Sequence, residues 1–191
     1  MDKANDIPLL KAVKAGDVSA FAQIIDKYQH MAFTLAMGIV KNKEEAEEVA
    51  QDAFFKAYKS LDKFKGDANF STWLYRIVYN TAISKIRSRK PVSADLESKE
   101  VAQFEMNYAE SNMHQLEKQD RKKILKKALG KLKEEDAFIV LLYYYKDNSI
   151  DEITDTTGLS ASNVKVKLHR GRKQLQKELN LLLREELNTI L

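Results

Sequence analysis

The 191-residue sequence has no cysteine, two prolines, six glycines, one tryptophan and three histidines. Without cysteine there is neither a disulfide framework nor a thiolate zinc site. His30, His114 and His169 stand too far apart in sequence to suggest a metal cluster. No glycine-rich phosphate loop precedes a helix, and no histidine sits in an acid/base motif, so neither enzymatic chemistry nor a cofactor is expected. No apolar run approaches the roughly 18 residues of a membrane span. The opening MDKANDIPLL lacks the basic-then-apolar order of a secretory signal. A cytoplasmic location without membrane insertion is the expectation. Scarce glycine and proline beside abundant alanine, leucine, lysine and glutamate predict an all-α chain.

With 44% hydrophobic and 31% charged residues, the sequence reads as globular, with enough length for two small cores. Its formal charge of +4 hides an asymmetry. Residues 1–90 carry 15 basic against 11 acidic side chains, residues 91–120 carry 2 against 7, and residues 121–191 carry 15 against 10. Two basic blocks therefore flank an acidic stretch, PVSADLESKEVAQFEMNYAESNMHQ, which shows no sustained apolar period. It reads as a flexible acidic linker joining two small helical domains.

Capping and periodicity divide each half into helices. In the first, IPLLKAVKAGD stops at Gly16, and a long amphipathic helix follows through Phe21, Ile24, Tyr28, Ala32, Leu35 and Ile39. Asn42 and Glu45 resemble a capping box for a helix over 43–60. Ser71 is expected to cap a fourth helix reaching Arg87. In the second half, helices are expected over 121–129, 134–145 and 150–157, the last opened by the capping box Ser149/Glu152 and ended by Gly158. Ser160 is expected to cap the final helix.

A short helix, a glycine-bearing turn and a second helix make a helix-turn-helix. On the second helix, residues placed 100° apart set Ala161, Val164, Leu168, Gly171, Leu175 and Leu179 within an arc of about 80°. That arc is predicted to face a core. The opposite side collects Ser162, Val166, His169, Arg170, Lys173 and Lys177, flanked by Lys165, Lys167 and Arg172. A basic solvated helix and a nucleic-acid surface both fit this distribution. The apolar Val166 among cations favours the second, because its methyl groups can meet a thymine methyl in the major groove. Asn163, Val166, His169 and Arg170 are the expected base readers, with the lysines on phosphates.

A second constellation is FKGDANFSTWLYRIVYNTAISKIRSRK. Trp73, Arg76, Asn80, Ser84 and Arg87 share one helical face, while Leu74, Tyr75, Val78, Ala82 and Ile86 take the other. An aromatic ring, an amide and cations together suit unpaired bases, with the loop Lys65 to Asn69 as a pocket wall; a core role for Trp73 is equally compatible. The third constellation, NKEEAEEVAQDAFFKAY, concentrates Glu44, Glu45, Glu47, Glu48 and Asp52. It reads as a solvated helix start that also offers a docking face for a basic protein surface.

In this order the constellations resemble the extracytoplasmic-function group of bacterial sigma factors. The resemblance covers AGDVSAFAQIIDKY, EEAEEVAQDAFFKAY, FKGDANFSTWLYRIVYNTA and the segment from LKEEDAF to GRKQL. It implies that residues 1–90 correspond to sigma region 2, residues 91–120 to a linker and residues 121–191 to region 4. It also implies a transcription initiation factor that directs core RNA polymerase to promoters. Glu45, Glu47, Glu48, Gln51 and Asp52 would meet the β′ clamp helices. Lys65, Asn69, Phe70, Trp73, Arg76, Asn80 and Arg87 would take the minus-ten DNA. Ser162, Asn163, Lys165, Val166, Lys167, His169, Arg170 and Lys173 would take the minus-thirty-five element, with the β flap touching the second domain. An anti-sigma factor is a further partner that the resemblance admits, and a stand-alone helix-turn-helix regulator is the alternative function. Three departures from the family pattern are expected to matter. Thr154, Thr156 and Thr157 should loosen the packing of their helix, Val166 should shift the minus-thirty-five preference, and Gly171 should weaken the last helix by about 1 kcal/mol.

Overall fold

The computed structural model describes the backbone of residues 3–89 and 114–190 and the side chains of residues 6–89 and 121–184. The described residues form α1 (Lys3–Lys14), α2 (Val18–Val40), α3 (Lys43–Lys59), a single 3-10 turn (Leu61–Lys63), α4 (Phe70–Ser88), α5 (His114–Gly130), α6 (Glu134–Tyr145), α7 (Ile150–Thr157) and α8 (Ala161–Ile190). No strand occurs among them, in agreement with the all-α expectation. The acidic stretch expected as a linker lies almost wholly outside the described residues.

α2 is the axis of the molecule. Asp17 caps its start, accepting from the Ser19 N–H at 2.8 Å and the Ala20 N–H at 3.2 Å. Its composition changes along its length. The first half is amphipathic, whereas Leu35 through Val40 are all buried, since α1, α3, α4 and α6 together surround it. A helix apolar on every side is stable only when covered on every side. α1 is pinned to it by Asp6, a buried carboxylate that accepts hydrogen bonds from Tyr28 Oη at 2.5 Å and from the Lys27 ammonium. Burial, reinforced by that carboxylate, pushes the Tyr28 hydroxyl well above its ordinary range.

The two halves of the chain meet through α2 and α4 on one side and α6 and α7 on the other, and their buried side chains form one continuous cluster. α6 lies against Gly38, where a Cβ would stand 3.1 Å from Leu141 Cδ1 and 3.8 Å from Ala137 Cβ. The Tyr79 ring packs on Phe138 with centroids 5.0 Å apart. At the end of α2, Lys41 adopts a left-handed conformation, with φ of 57°. Its ammonium donates to the carbonyls of Gly130, at 2.9 Å, and Leu132, just past the end of α5. Side-chain amines commonly satisfy helix-terminal carbonyls in this way.

Several local expectations change in three dimensions. The capping box of α7 forms in full, with Ser149 Oγ on the Glu152 N–H and the Glu152 carboxylate on the Ser149 N–H. At α3 only half of it forms: Asn42 caps the Glu45 N–H, but the Glu45 carboxylate turns to Arg89 instead. α4 begins at Phe70, one residue before the expected cap Ser71, and its N-cap Asn69 makes no side-chain capping bond. The three threonines of α7 do not loosen it. Each hydroxyl donates to the carbonyl four residues back, at 2.8, 2.8 and 2.7 Å, and Thr156 is fully buried. Ala161 is exposed rather than in the core arc, whereas Val164, Leu168 and Gly171 are buried as expected.

Gly171 reverses its expected role. A Cβ there would lie 2.7 Å from Val140 Cγ2 and 3.4 Å from the Asp136 Cβ and carbonyl oxygen. The glycine lets α6 and α8 approach closely, which outweighs its helix-propensity cost. Gly171→Ala gains about 1 kcal/mol of propensity but adds about 1–3 kcal/mol of overpacking. We expect a net loss of about 1 kcal/mol, seen as a lowered urea midpoint; a midpoint unchanged or raised would contradict the close-approach argument.

Candidate nucleic-acid interface

α7 ends at Gly158 in the left-handed region, φ 73°, with its N–H on the Thr154 carbonyl at 2.8 Å. Ser160 Oγ then accepts from the Asn163 N–H at 3.3 Å and opens α8. Val164, Leu168 and Gly171 seat this helix, and the opposite face carries exposed Ser162, Asn163, Lys165, Val166, His169, Arg172 and Lys173. Val166 is 58% exposed. An apolar side chain ringed by cations gains nothing from water, whereas a groove offers it methyl contacts.

Three cations of this helix bond to side chains of α6, Arg172 through Tyr144 Oη at 3.1 Å and the other two through carboxylates. Arg170, expected to read bases, forms a bidentate pair with Asp136 on α6, Nε to Oδ2 at 2.5 Å and Nη2 to Oδ1 at 2.6 Å. Asp136 is only 2% exposed, so the pair holds α8 on α6, and in this arrangement the guanidinium fork is already filled. Lys167 is half-buried and donates to Glu135 Oε2 at 2.5 Å. Glu135 Oε1 meanwhile accepts from Tyr79 Oη at 2.8 Å, which joins α4 to the same carboxylate. Burial pulls the Glu135 carboxyl upward, but Lys167 and Tyr79 outweigh it and hold it below the ordinary carboxylate range.

On α4, Arg76, Asn80, Ser84 and Arg87 are exposed on one face, as the spacing predicts. Phe70, expected at the interface, is instead 3% exposed and packs on Tyr28 and Phe64 at centroid distances of 5.7 and 5.6 Å. Trp73 falls between its two readings: it is half-buried, with Phe64 at 5.3 Å and Phe70 at 5.6 Å. In the preceding loop Lys65 is exposed, Gly66 takes φ 84°, and the Phe64 carbonyl is tied to Lys14 Nζ at 3.0 Å. Asn69 is half-buried, its amide donating to Glu152 Oε1 at 3.4 Å.

The acidic face of α3 is partly neutralised by α4. Glu48 pairs with Lys85 at 2.6 Å and Glu45 with Arg89, while Glu47, Gln51 and Asp52 are exposed. Beside Gln51 lies a feature that the sequence reading missed, an apolar trough of about 430 Å³ between α2 and α3, lined by Val18, Phe21, Ile25, Phe54, Phe55 and Tyr58. Its signal was Phe55, which falls outside the apolar stripe of its helix and is 58% exposed. Among the described residues no group of side chains is placed to hold a metal ion, and no helix is long and apolar enough to cross a membrane.

Fold and surface together define a helical DNA-binding protein with a helix-turn-helix in its second half and an aromatic, cationic helix in its first. Sigma-70 region 2 matches residues 24–92 and sigma-70 region 4 matches residues 122–175. The chain is 32% identical over 176 residues to the ECF RNA polymerase sigma factor SigW of Bacillus subtilis, covering 89% of this chain and 94% of that one. It is 31% identical over 191 residues to the RNA polymerase sigma-H factor of Pseudomonas aeruginosa, covering 97% and 99%. With the ECF sigma-E factor of Escherichia coli K12 it shares 29% identity over 189 residues, covering 96% and 98%. Two solved structures share its fold at 23% identity. Sigma factor RpoE of Bartonella quintana with the anti-sigma factor NepR has a TM-score of 0.68 over 85% of this chain and 98% of that one. CnrH with the cytosolic domain of CnrY has a TM-score of 0.63 over 94% and 99%. The chain belongs to the sigma-70 family, in its extracytoplasmic-function group, and is thus a transcription initiation factor rather than an enzyme.

Arg170→Ala should cost about 1–3 kcal/mol in urea denaturation, because it strands the buried Asp136 carboxylate; Arg170→Lys, which restores charge without the fork, should fall between. A stability equal to the parent's would contradict the structural assignment of Arg170. Because the folded Glu135 is depressed below its unfolded value near 4.5, its contribution is complete above that value and is lost as pH falls through the folded one. Glu135→Gln should therefore flatten the acid limb of the stability profile below about pH 5, and an unchanged limb would remove Glu135 from the account.

Proposed function

We propose that this sigma factor docks on core RNA polymerase and supplies promoter selection through two separate surfaces. The observation that carries the reading is the outward face of α8, the second helix of the helix-turn-helix, where Lys165, His169 and Lys173 surround an exposed Val166 after a first helix with a complete capping box. Lysines there neutralise phosphates without regard to sequence, whereas Asn163, Val166 and His169 near the helix start are set to read the minus-thirty-five element. Ser162 sits beside them, while Lys167 and Arg170 join this surface only if their carboxylate partners release them.

The minus-ten bases are assigned to the exposed Arg76, Asn80 and Arg87 of α4, with Lys65, Asn69 and the half-buried Trp73 forming the receiving edge. Phe70 supports that edge from beneath. An amide bonds a base edge and a ring offers a stacking face, which is what an unpaired base requires. Core polymerase docking is assigned to Glu47, Gln51 and Asp52 of α3, supported by Glu45 and Glu48. The neighbouring apolar trough gives a charged patch the desolvated centre that stable interfaces possess. The partner surfaces are the β′ clamp helices here and the β flap on the second half. An anti-sigma factor is a further partner, supported by the anti-sigma factor NepR bound to RpoE in the structure that shares this fold. All of this takes place in the cytoplasm, where the polymerase is.

Purified chain should co-elute with core polymerase and give promoter-specific transcripts with it; failure of both would refute the reading. Asn80→Ala should leave duplex binding intact yet impair strand opening about five- to a hundredfold, from a lost base contact of about 1–3 kcal/mol, in a fluorescent-base melting assay. Full opening by that variant would remove Asn80 from the minus-ten surface, whereas a stand-alone helix-turn-helix regulator would give no opening even with the parent chain. Lys165→Ala should weaken binding uniformly across sequences and lower the salt slope by about 1, while Val166→Ser should alter which minus-thirty-five sequences are preferred. Identical effects of the two would overturn their separate roles.

A further inference from the structure

We propose that Tyr144 and Arg172 together form a binding site for one phosphodiester of the promoter duplex, which carries the DNA surface of α8 across onto the end of α6. The inference deepens the promoter-reading role proposed for α8 and rests on it.

The three cations that bond α8 to α6 are held in two different ways. Lys167 and Arg170 end on carboxylates, which neutralise them within the protein. Arg172 ends on a hydroxyl: its Nη1 donates to Tyr144 Oη at 3.1 Å, and among the described residues no carboxylate pairs with it. A hydroxyl fixes the guanidinium without cancelling its charge, and leaves most of its five donors open. Tyr144 accepts in this bond, so its own proton remains for a second acceptor. The Tyr144 ring is braced edge-on by Tyr143, with centroids 5.0 Å apart. Tyr144 is 53% exposed and Arg172 is exposed, so the pair faces solvent rather than filling a core. A phosphodiester oxygen suits both groups, since it brings negative charge to the guanidinium and a lone pair to the hydroxyl.

The position of the pair fits a duplex lying on α8. Arg172 stands seven residues after the exposed Lys165, so the two cations share one flank of the helix about 10 Å apart, at about 1.5 Å per residue. Phosphates of one strand recur about every 3.4 Å of duplex axis, so the two cations meet different phosphates of that strand. Such contacts set the register of the helix in the groove and read no bases themselves. An arginine with a planar fork already fixed in place loses little freedom when it binds. Tyr144 is therefore the positioning residue and Arg172 the charge it positions.

The test uses the full chain with core polymerase on a promoter duplex whose minus-thirty-five phosphates are replaced, one at a time, by uncharged methylphosphonate. At one phosphate the replacement should weaken the parent about tenfold or more, while Arg172→Gln loses nothing further there. On the unmodified duplex, Arg172→Gln should bind more weakly whatever the sequence, with a salt slope lower by about 1. Tyr144→Phe keeps the ring and the arginine's charge, so it should lose about two- to tenfold in affinity at an unchanged slope. Both side chains are exposed, and neither substitution should move the urea midpoint. Parent-like binding by Tyr144→Phe, or an Arg172→Gln chain as sensitive as the parent at every phosphate, would overturn the site and leave promoter reading intact. Transcription lost with DNA binding unchanged would assign the pair to a protein contact and overturn the proposal. A parent without salt-sensitive promoter binding would overturn promoter reading and the phosphate site together.

Discussion

The last two turns of α2, from Leu35 to Val40, have no side that faces water, and the rest of the chain is arranged to keep it so. Within the first half α2 packs against α3 and α4, and at Gly38 its flank is filled by α6. The burial of one helix thereby binds together two halves that are each small for a core of their own. Apolar burial supplies roughly 25 cal/mol per Å², so a strip of leucine, alanine and isoleucine outweighs the few hydrogen bonds at its edge. The polar contacts fix where the halves sit; the apolar strip decides that they meet.

Charge in this protein serves twice. Lys85 and Arg89 steady the acidic face of α3, and Arg170 and Lys167 fasten α8 to the acidic start of α6. The remaining cations on the α8 surface are those with the freest approach to phosphate. The net charge of +4 is thus a poor guide to the surface that nucleic acid meets. Internal pairing consumes part of the basic content and leaves Lys165, His169 and Lys173 grouped around one apolar residue.

What the sequence made legible was what a helix decides with its own neighbours. The capping box at Ser149, the left-handed stop at Gly158, and the division of α4 into an apolar face and an amide-bearing face depend on contacts three or four residues away. Features set by distant neighbours were not legible. Nothing near Gly171 says that Val140 lies against it, and an angular projection of α8 cannot show Asp136 claiming Arg170. Phe70 was placed at the interface by the family resemblance, but Tyr28 of α2 and Phe64 of the preceding loop enclose it. The trough at Phe55 was half-visible: an aromatic off the apolar stripe is a signal, though its companions on α2 are some thirty residues earlier. The closure of the two halves left only a glycine inside an otherwise strong helix.

In the promoter-binding role proposed for α8, Val166 would place a salt-independent contact inside a salt-dependent surface. Attraction of lysines such as Lys165 and Lys173 to phosphate weakens as ions are added, because a counterion released into a saltier solution gains less entropy. A methyl group meeting a base methyl is indifferent to that exchange. As ionic strength rises, total affinity falls, but the share that distinguishes one sequence from another grows. In a crowded, ion-rich cell such a helix becomes a weaker binder and a more discriminating one, and it spends less of its time on the wrong DNA.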